Sequence, residues 1–131
     1  MIAVTIVAML ALLQYQFFGI AVGRARGRSG VAAPAVTGNE EFERYFRAHQ
    51  NTLEQLIILL PAMYASALFV GDWYAAALGL LFIVGRQLYF NRYVAAPTKR
   101  GPGMLLTAIA NLALLLGAII GAVVQFVSGL Q

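Results

Sequence analysis

The 131-residue chain contains no cysteine. That excludes a disulfide framework, a thiolate metal site and a protein thiol nucleophile, so any sulfur chemistry must take its sulfur from the substrate, and no metal site is expected. Charge is also scarce: Asp, Glu, Lys and Arg make up 11% of the residues against 61% hydrophobic, with a mean hydropathy of +0.79. So little polar surface cannot cover a soluble globule, and an integral membrane protein is left. The first apolar run lacks a basic start and exceeds the roughly 7 to 15 residues of a signal-peptide core, so it reads as a retained span.

Four apolar runs are present, Ile2 to Val22, Leu56 to Val70, Trp73 to Val84 and Met104 to Val127. A span needs about 20 residues, which the first and last supply and the middle two do not. The middle pair become long enough when each helix is extended through its charged neighbour, Glu40 to Gln55 before the second and Arg86 to Tyr93 after the third. The expected fold is an all-α integral membrane four-helix bundle, a single domain over 1–131 with helices at roughly 1–23, 39–71, 72–95 and 102–128.

The nine basic residues all fall at one end of that layout. Arg24, Arg26, Arg28, Arg44 and Arg47 surround the first connection, and Arg86, Arg92, Lys99 and Arg100 the third. Positive residues favour the cytoplasmic side, which puts loops 24–38 and 96–101 in the cytoplasm, and both termini and the Gly71-Asp72 turn on the opposite face. The net charge of +4 therefore needs no nucleic-acid partner. Compact length and the lack of a eukaryotic retention tail point to a bacterial inner membrane.

Polar residues inside the spans are few enough to read singly. Gln14 and Gln16 are amides at a depth where bonding to a neighbouring helix is expected. Asn39 reads as the N-cap of helix 2, followed by Glu40, Glu41 and Glu43 at the positive end of the helix dipole. Pro61 is expected to kink that helix. Trp73 and Tyr74 read as an interfacial anchor, and Gly117 with Gly121 as a close-packing face, within the chain or between copies.

Two polar stripes stand out. On helix 2, Arg47, Asn51 and Glu54 follow at i, i+4 and i+7; on helix 3, Arg86, Tyr89 and Tyr93 follow at i, i+3 and i+7. Counted from the Gly71-Asp72 turn at about 1.5 Å per residue, Glu54 and Tyr89 both lie roughly 26 Å up and Arg86 roughly 21 Å. An ionisable group at that depth must face protein or water, so Glu54 and Arg86 are expected to point inward toward charged partners, as a structural pair or as part of a site.

The run Gly38, Phe42-Glu43-Arg44, Phe46, Ala48, Asn51 and Glu54 closely resembles the signature of the membrane-associated proteins in eicosanoid and glutathione metabolism, the MAPEG family. Arg86, Tyr89, Tyr93 and Arg100 extend the match toward its microsomal glutathione transferase and leukotriene-forming branch. The resemblance implies homotrimers that bind glutathione between subunits near the cytoplasmic side. Arg26, reaching from the first loop, Arg47, Asn51, Glu54, Arg86, Tyr89 and Tyr93 would hold the tripeptide, and Arg100 would face its thiol. The chain departs from the pattern at Tyr45, His49 and Thr52, in its alternating rather than adjacent loop arginines, and at Gln55, where that branch has a tyrosine.

The resemblance implies a transferase that joins the glutathione thiolate to lipophilic electrophiles drawn from the bilayer, with lipid hydroperoxide reduction as a further activity of some members. The alternative within the family is a non-catalytic lipid-binding scaffold like the lipoxygenase-activating branch. A small four-helix drug exporter would need a glutamate in the first helix, and helix 1 has no carboxylate.

Overall fold

Each apolar run becomes a helix because hydrocarbon offers no partner for an unpaired backbone group. The computed structural model describes residues 1–129; the last two, 130–131, lie outside the described residues of the expected single domain. Its elements are α1 (Ile2–Ser29), α2 (Glu40–Phe69), α3 (Asp72–Ala95), a short 3₁₀ turn (Pro97–Arg100) and α4 (Gly101–Ser128). All four α-helices are long and apolar enough to cross a membrane.

The first helix corrects the sequence expectation. It runs on past Gly23 to Ser29, so Arg24, Arg26 and Arg28 stand on its last turns rather than in a loop. Hydropathy marks where the membrane ends, whereas the helix itself stops only at Gly30, which takes the left-handed conformation at φ 71°. Arginines in the last turn also suit the negative end of the helix dipole. Asn39 caps α2 as expected, its side chain accepting from the Phe42 N–H at 3.0 Å, and α2 continues unbroken through Pro61.

At the opposite end, Gly71 makes the α2–α3 turn at φ 150°. The next residue ties down the first helix: the Asp72 carboxylate accepts from the N–H groups of Ala3 (3.0 Å) and Val4 (2.9 Å) and pairs with the terminal ammonium at 2.9 Å. Thus α1 and α3 start together and run parallel.

Lipid supplies little hydrophobic drive between helices, so close contact and interhelical hydrogen bonds carry the packing. Ser66 Oγ donates to Leu114 O at 2.6 Å, Tyr74 Oη to Ala113 O at 2.8 Å and Gln14 Nε2 to Ile83 O at 2.9 Å. Gln16, expected to bond a neighbour, is instead exposed, because it lies on the α1 face turned away from α2 and α3. Gly117 and Gly121 pack within the chain: a Cβ there would come within 2.9 Å of the Tyr74 ring and 2.8 Å of the Phe69 side chain. A main core joins Val4, Ala8, Leu59, Met63, Phe82 and Leu114, and a smaller one at the basic end joins Phe18, Ala48, Tyr89 and Phe90.

Candidate functional site

At the basic end the two polar stripes meet, although not as their heights suggest. Arg86 is 1% exposed, and its Nη2 donates to Asn51 Oδ1 at 3.1 Å and Thr52 Oγ1 at 2.8 Å. Thr52 in turn donates to Ala48 O at 2.8 Å, so its hydroxyl lone pairs face the guanidinium. The expected inward Glu54–Arg86 pair is absent: Glu54 is exposed on the protomer and accepts from Asn51 Nδ2 at 3.2 Å. The long arginine stem explains the difference, since it carries the charge past the level of its own Cα toward the aqueous end, where Asn51 and Thr52 stand.

The guanidinium also lies 4.0 Å from the centre of the Tyr89 ring, and Tyr89 stacks on Tyr93 at 5.4 Å. A continuous row therefore runs from Glu54 through Asn51, Arg86 and Tyr89 to Tyr93. Tyr93 shares an open cleft of about 340 Å³ with Glu40, Glu43, Arg44 and Arg47. A separate hollow of about 80 Å³ on the α4 side is lined by Asn51, Gln55, Arg86, Met104, Thr107 and Ala108.

Charge in this region is unbalanced. Among the described residues no carboxylate pairs with Arg86, Arg47 or Arg100, and the buried Nε of Arg86 has no partner at all. Arg100 is exposed at the end of the 3₁₀ turn. Three residues later, a Cβ on Gly103 would sit 2.4 Å from the Tyr89 backbone nitrogen. That contact sets the start of α4 against α3 at Tyr89 and hangs Arg100 about one helical turn beyond it.

Arg26 is not brought into the row. It stands on α1, 4.5 Å from the Phe42 ring centre, and its Nη1 donates to Val31 O (3.2 Å) and Ala35 O (2.7 Å), pinning the α1–α2 connection. The Phe42-Glu43-Arg44 triplet is architectural as well. Phe42 is fully buried, Glu43 accepts from the Gly38 N–H at 2.8 Å, and Arg44 Nη1 donates to Ala95 O at 3.5 Å, at the end of α3.

Sequence reasoning missed Thr52 as a partner of Arg86 and Glu40, Glu43 and Arg44 as walls of the cleft. The signal for Thr52 was present, a hydroxyl beside Asn51 inside an apolar stretch. Gln55, one of the departures from the resembled pattern, accepts from Asn111 Nδ2 at 3.0 Å and ties α2 to α4.

Fold and site together define a polytopic four-helix membrane protein that gathers an arginine-rich polar layer at one end of its bundle. The MAPEG family pattern matches residues 4–120, and the chain belongs to the MAPEG family. It is 41% identical to human microsomal glutathione S-transferase 2 over 114 residues, covering 86% of this chain and 78% of that protein. An uncharacterized protein of Synechocystis sp. is 40% identical over 120 residues, covering 92% and 88%. Rat leukotriene C4 synthase is 31% identical over 123 residues, covering 94% and 82%.

Proposed function

We propose that the chain is a membrane-bound glutathione transferase, acting as a homotrimer on lipophilic electrophiles that enter from the bilayer. The observation that carries this reading is Arg86, a buried guanidinium whose polar partners among the described residues are all neutral. A charge desolvated without a counter-ion is costly, and an anionic ligand removes that cost. Glutathione offers two carboxylates and one ammonium, which suits several unpaired arginines and one free carboxylate. The names of the relatives, a glutathione S-transferase and a leukotriene C4 synthase, support the same substrate class.

In this reading Arg47 and Arg86 take glutathione carboxylates, Glu54 takes the ammonium, and Asn51, Tyr89 and Tyr93 bond the peptide groups. Both loop bonds of Arg26 run through Nη1, which leaves Nη2 to take a carboxylate. Arg100 stands by the thiol and favours its thiolate form. The thiolate attacks the electrophilic carbon; the C–S bond forms as the bond to the leaving group breaks, and the thiol proton passes to solvent. The basic end faces the cytoplasm, where the peptide is supplied.

Titration calorimetry with glutathione, followed by a conjugation assay with an aryl halide, tests the reading. Saturable binding with turnover supports it. Binding without turnover replaces the transferase with the non-catalytic scaffold, and absence of binding overturns the glutathione assignment.

A further inference from the structure

Asn51 and Arg86 also wall the small hollow of about 80 Å³ between α2 and α4. Arg100 takes helical angles, φ −68° and ψ −18°, and leads straight into α4. Arg100, Met104, Thr107 and Ala108 therefore follow at i, i+4, i+7 and i+8 on one face. The hollow, which the last three line, starts about one turn, roughly 6 Å, further into the membrane than Arg100. Met104 is 45% exposed and Ala108 is exposed as well, which leaves the α4 wall open to the bilayer. A thiol held by Arg100 stands at the mouth of this hollow, on the path of a lipophilic electrophile.

The remaining wall is Gln55, a half-buried amide. Asn111 fixes its orientation, because Asn111 Nδ2 donates to the Gln55 main-chain oxygen at 3.4 Å as well as to Gln55 Oε1 at 3.0 Å. A flipped Asn111 would set one carbonyl oxygen against another, so Gln55 turns its oxygen to α4 and keeps its amide hydrogens free. Gln55 Nε2 donates to no atom among the described residues. Nor is it sealed in: the enclosed atoms without a partner belong to Gln14, Arg86 and Asn111. Thr107 has its own hydrogen committed to Gly103 O at 2.8 Å. Gln55 thus brings to the hollow a neutral donor that neither the fold nor the glutathione row takes up.

Given the transferase reading, on which this rests, we infer that Gln55 is a specificity-determining residue for the electrophile. Its Nε2 donates to the oxygen on which negative charge develops, so α,β-unsaturated carbonyl compounds are favoured over alkyl halides. The thiolate adds to the β-carbon of such a compound; the C–S bond forms, the C=C electron pair moves toward the carbonyl, and the enolate oxygen takes the charge. The Gln55 N–H stabilises that oxygen, solvent returns a proton to the α-carbon, and no group leaves. Displacement at an alkyl halide puts the charge on the departing halide instead and gains less from a donor placed for an oxyanion.

The test is a ratio measured on the purified full-length protein with glutathione: kcat/KM for cinnamaldehyde divided by kcat/KM for benzyl chloride, which shares its phenyl group. Gln55→Met, close in size but without an N–H, is expected to lower that ratio about tenfold or more, the loss lying in kcat for the aldehyde. Gln55→Glu keeps an oxygen for Asn111 and removes the donor; the same fall is expected, and this variant decides the matter if Gln55→Met does not fold. Weaker packing or weaker glutathione binding lowers both rates together and leaves the ratio where it was, and that result overturns the inference. A wild-type protein that conjugates neither compound overturns the transferase reading and the inference with it, whereas turnover of both with a ratio that ignores Gln55 overturns the inference alone.

Discussion

Arg86 carries a full charge where the bilayer has nothing to solvate it, and the chain answers with one amide and one hydroxyl. Neutral partners compensate a cation only partly, so the proposed anionic ligand would stabilise this position more than the empty fold does. Arg86→Met, which keeps the stem and removes the charge, is expected to leave Tm unchanged or raised while glutathione affinity falls at least tenfold, about 1.4 kcal/mol. Thermal unfolding beside calorimetry separates the two effects, and a large drop in Tm would mark Arg86 as structural. Arg100 behaves differently, since it is exposed and pairs with no carboxylate among the described residues. With the proposed role at the thiolate, Arg100→Ala is expected to lower kcat about a hundredfold with little change in glutathione affinity. Equal losses in binding and turnover would make it a binding residue only. Both positions were legible in the sequence as charges at the ends of spans. The bond from Arg86 to Thr52 was not, because periodicity fixes where a Cα stands and not how far an arginine reaches.

The division of labour is clearest on α2. One face, through Phe42, Ala48, Thr52, Leu56 and Leu59, is buried in the bundle, while Arg47 and Glu54 stay on an exposed stripe. The cap that starts this helix was readable from Asn39 and the acids behind it, and Asn39→Ala is expected to cost about 1 kcal/mol in thermal or denaturant unfolding. The end of α1 was misread because hydropathy falls at Gly23 while nothing before Gly30 breaks the helix. The glycine at the start of α4 was silent for another reason: its neighbour is distant in sequence. A Cβ on Gly103 would meet the Tyr89 backbone nitrogen at 2.4 Å and its Cα at 2.5 Å, and backbone cannot move aside as a side chain can. Gly103→Ala is therefore expected to push α4 from α3, lowering Tm and displacing Arg100 from Tyr89 and Tyr93, so that turnover falls as well. Gly27→Ala, where a Cβ meets nothing within 4 Å, is the control and is expected to be neutral or slightly stabilising. Equal stability of the two variants would remove the close α3–α4 contact as the feature that positions Arg100.

A single protomer leaves one of its charges in the wrong solvent. Glu54 is exposed beside Leu53, Ile57 and Ile58, themselves 38%, 67% and 37% exposed, at a depth where a lipid-facing carboxylate is costly. Turning Glu54 inward is not available, because the buried face of α2 is already filled at Thr52 and Leu56. What remains is to cover the stripe with protein, and in the proposed homotrimer a second copy would do so while closing the open cleft over Arg47 and Tyr93. On that proposal oligomer and site are one structure, and losing either would lose both. Ile57→Arg adds a third charge to the stripe of Arg47 and Glu54 without touching the core of its own protomer. It is expected to yield a helical, folded monomer in detergent that binds no glutathione, as read by analytical ultracentrifugation, circular dichroism and calorimetry on one preparation. A verified monomer with undiminished glutathione affinity would show that one chain holds the whole site, and Glu54 would need another reason to face outward.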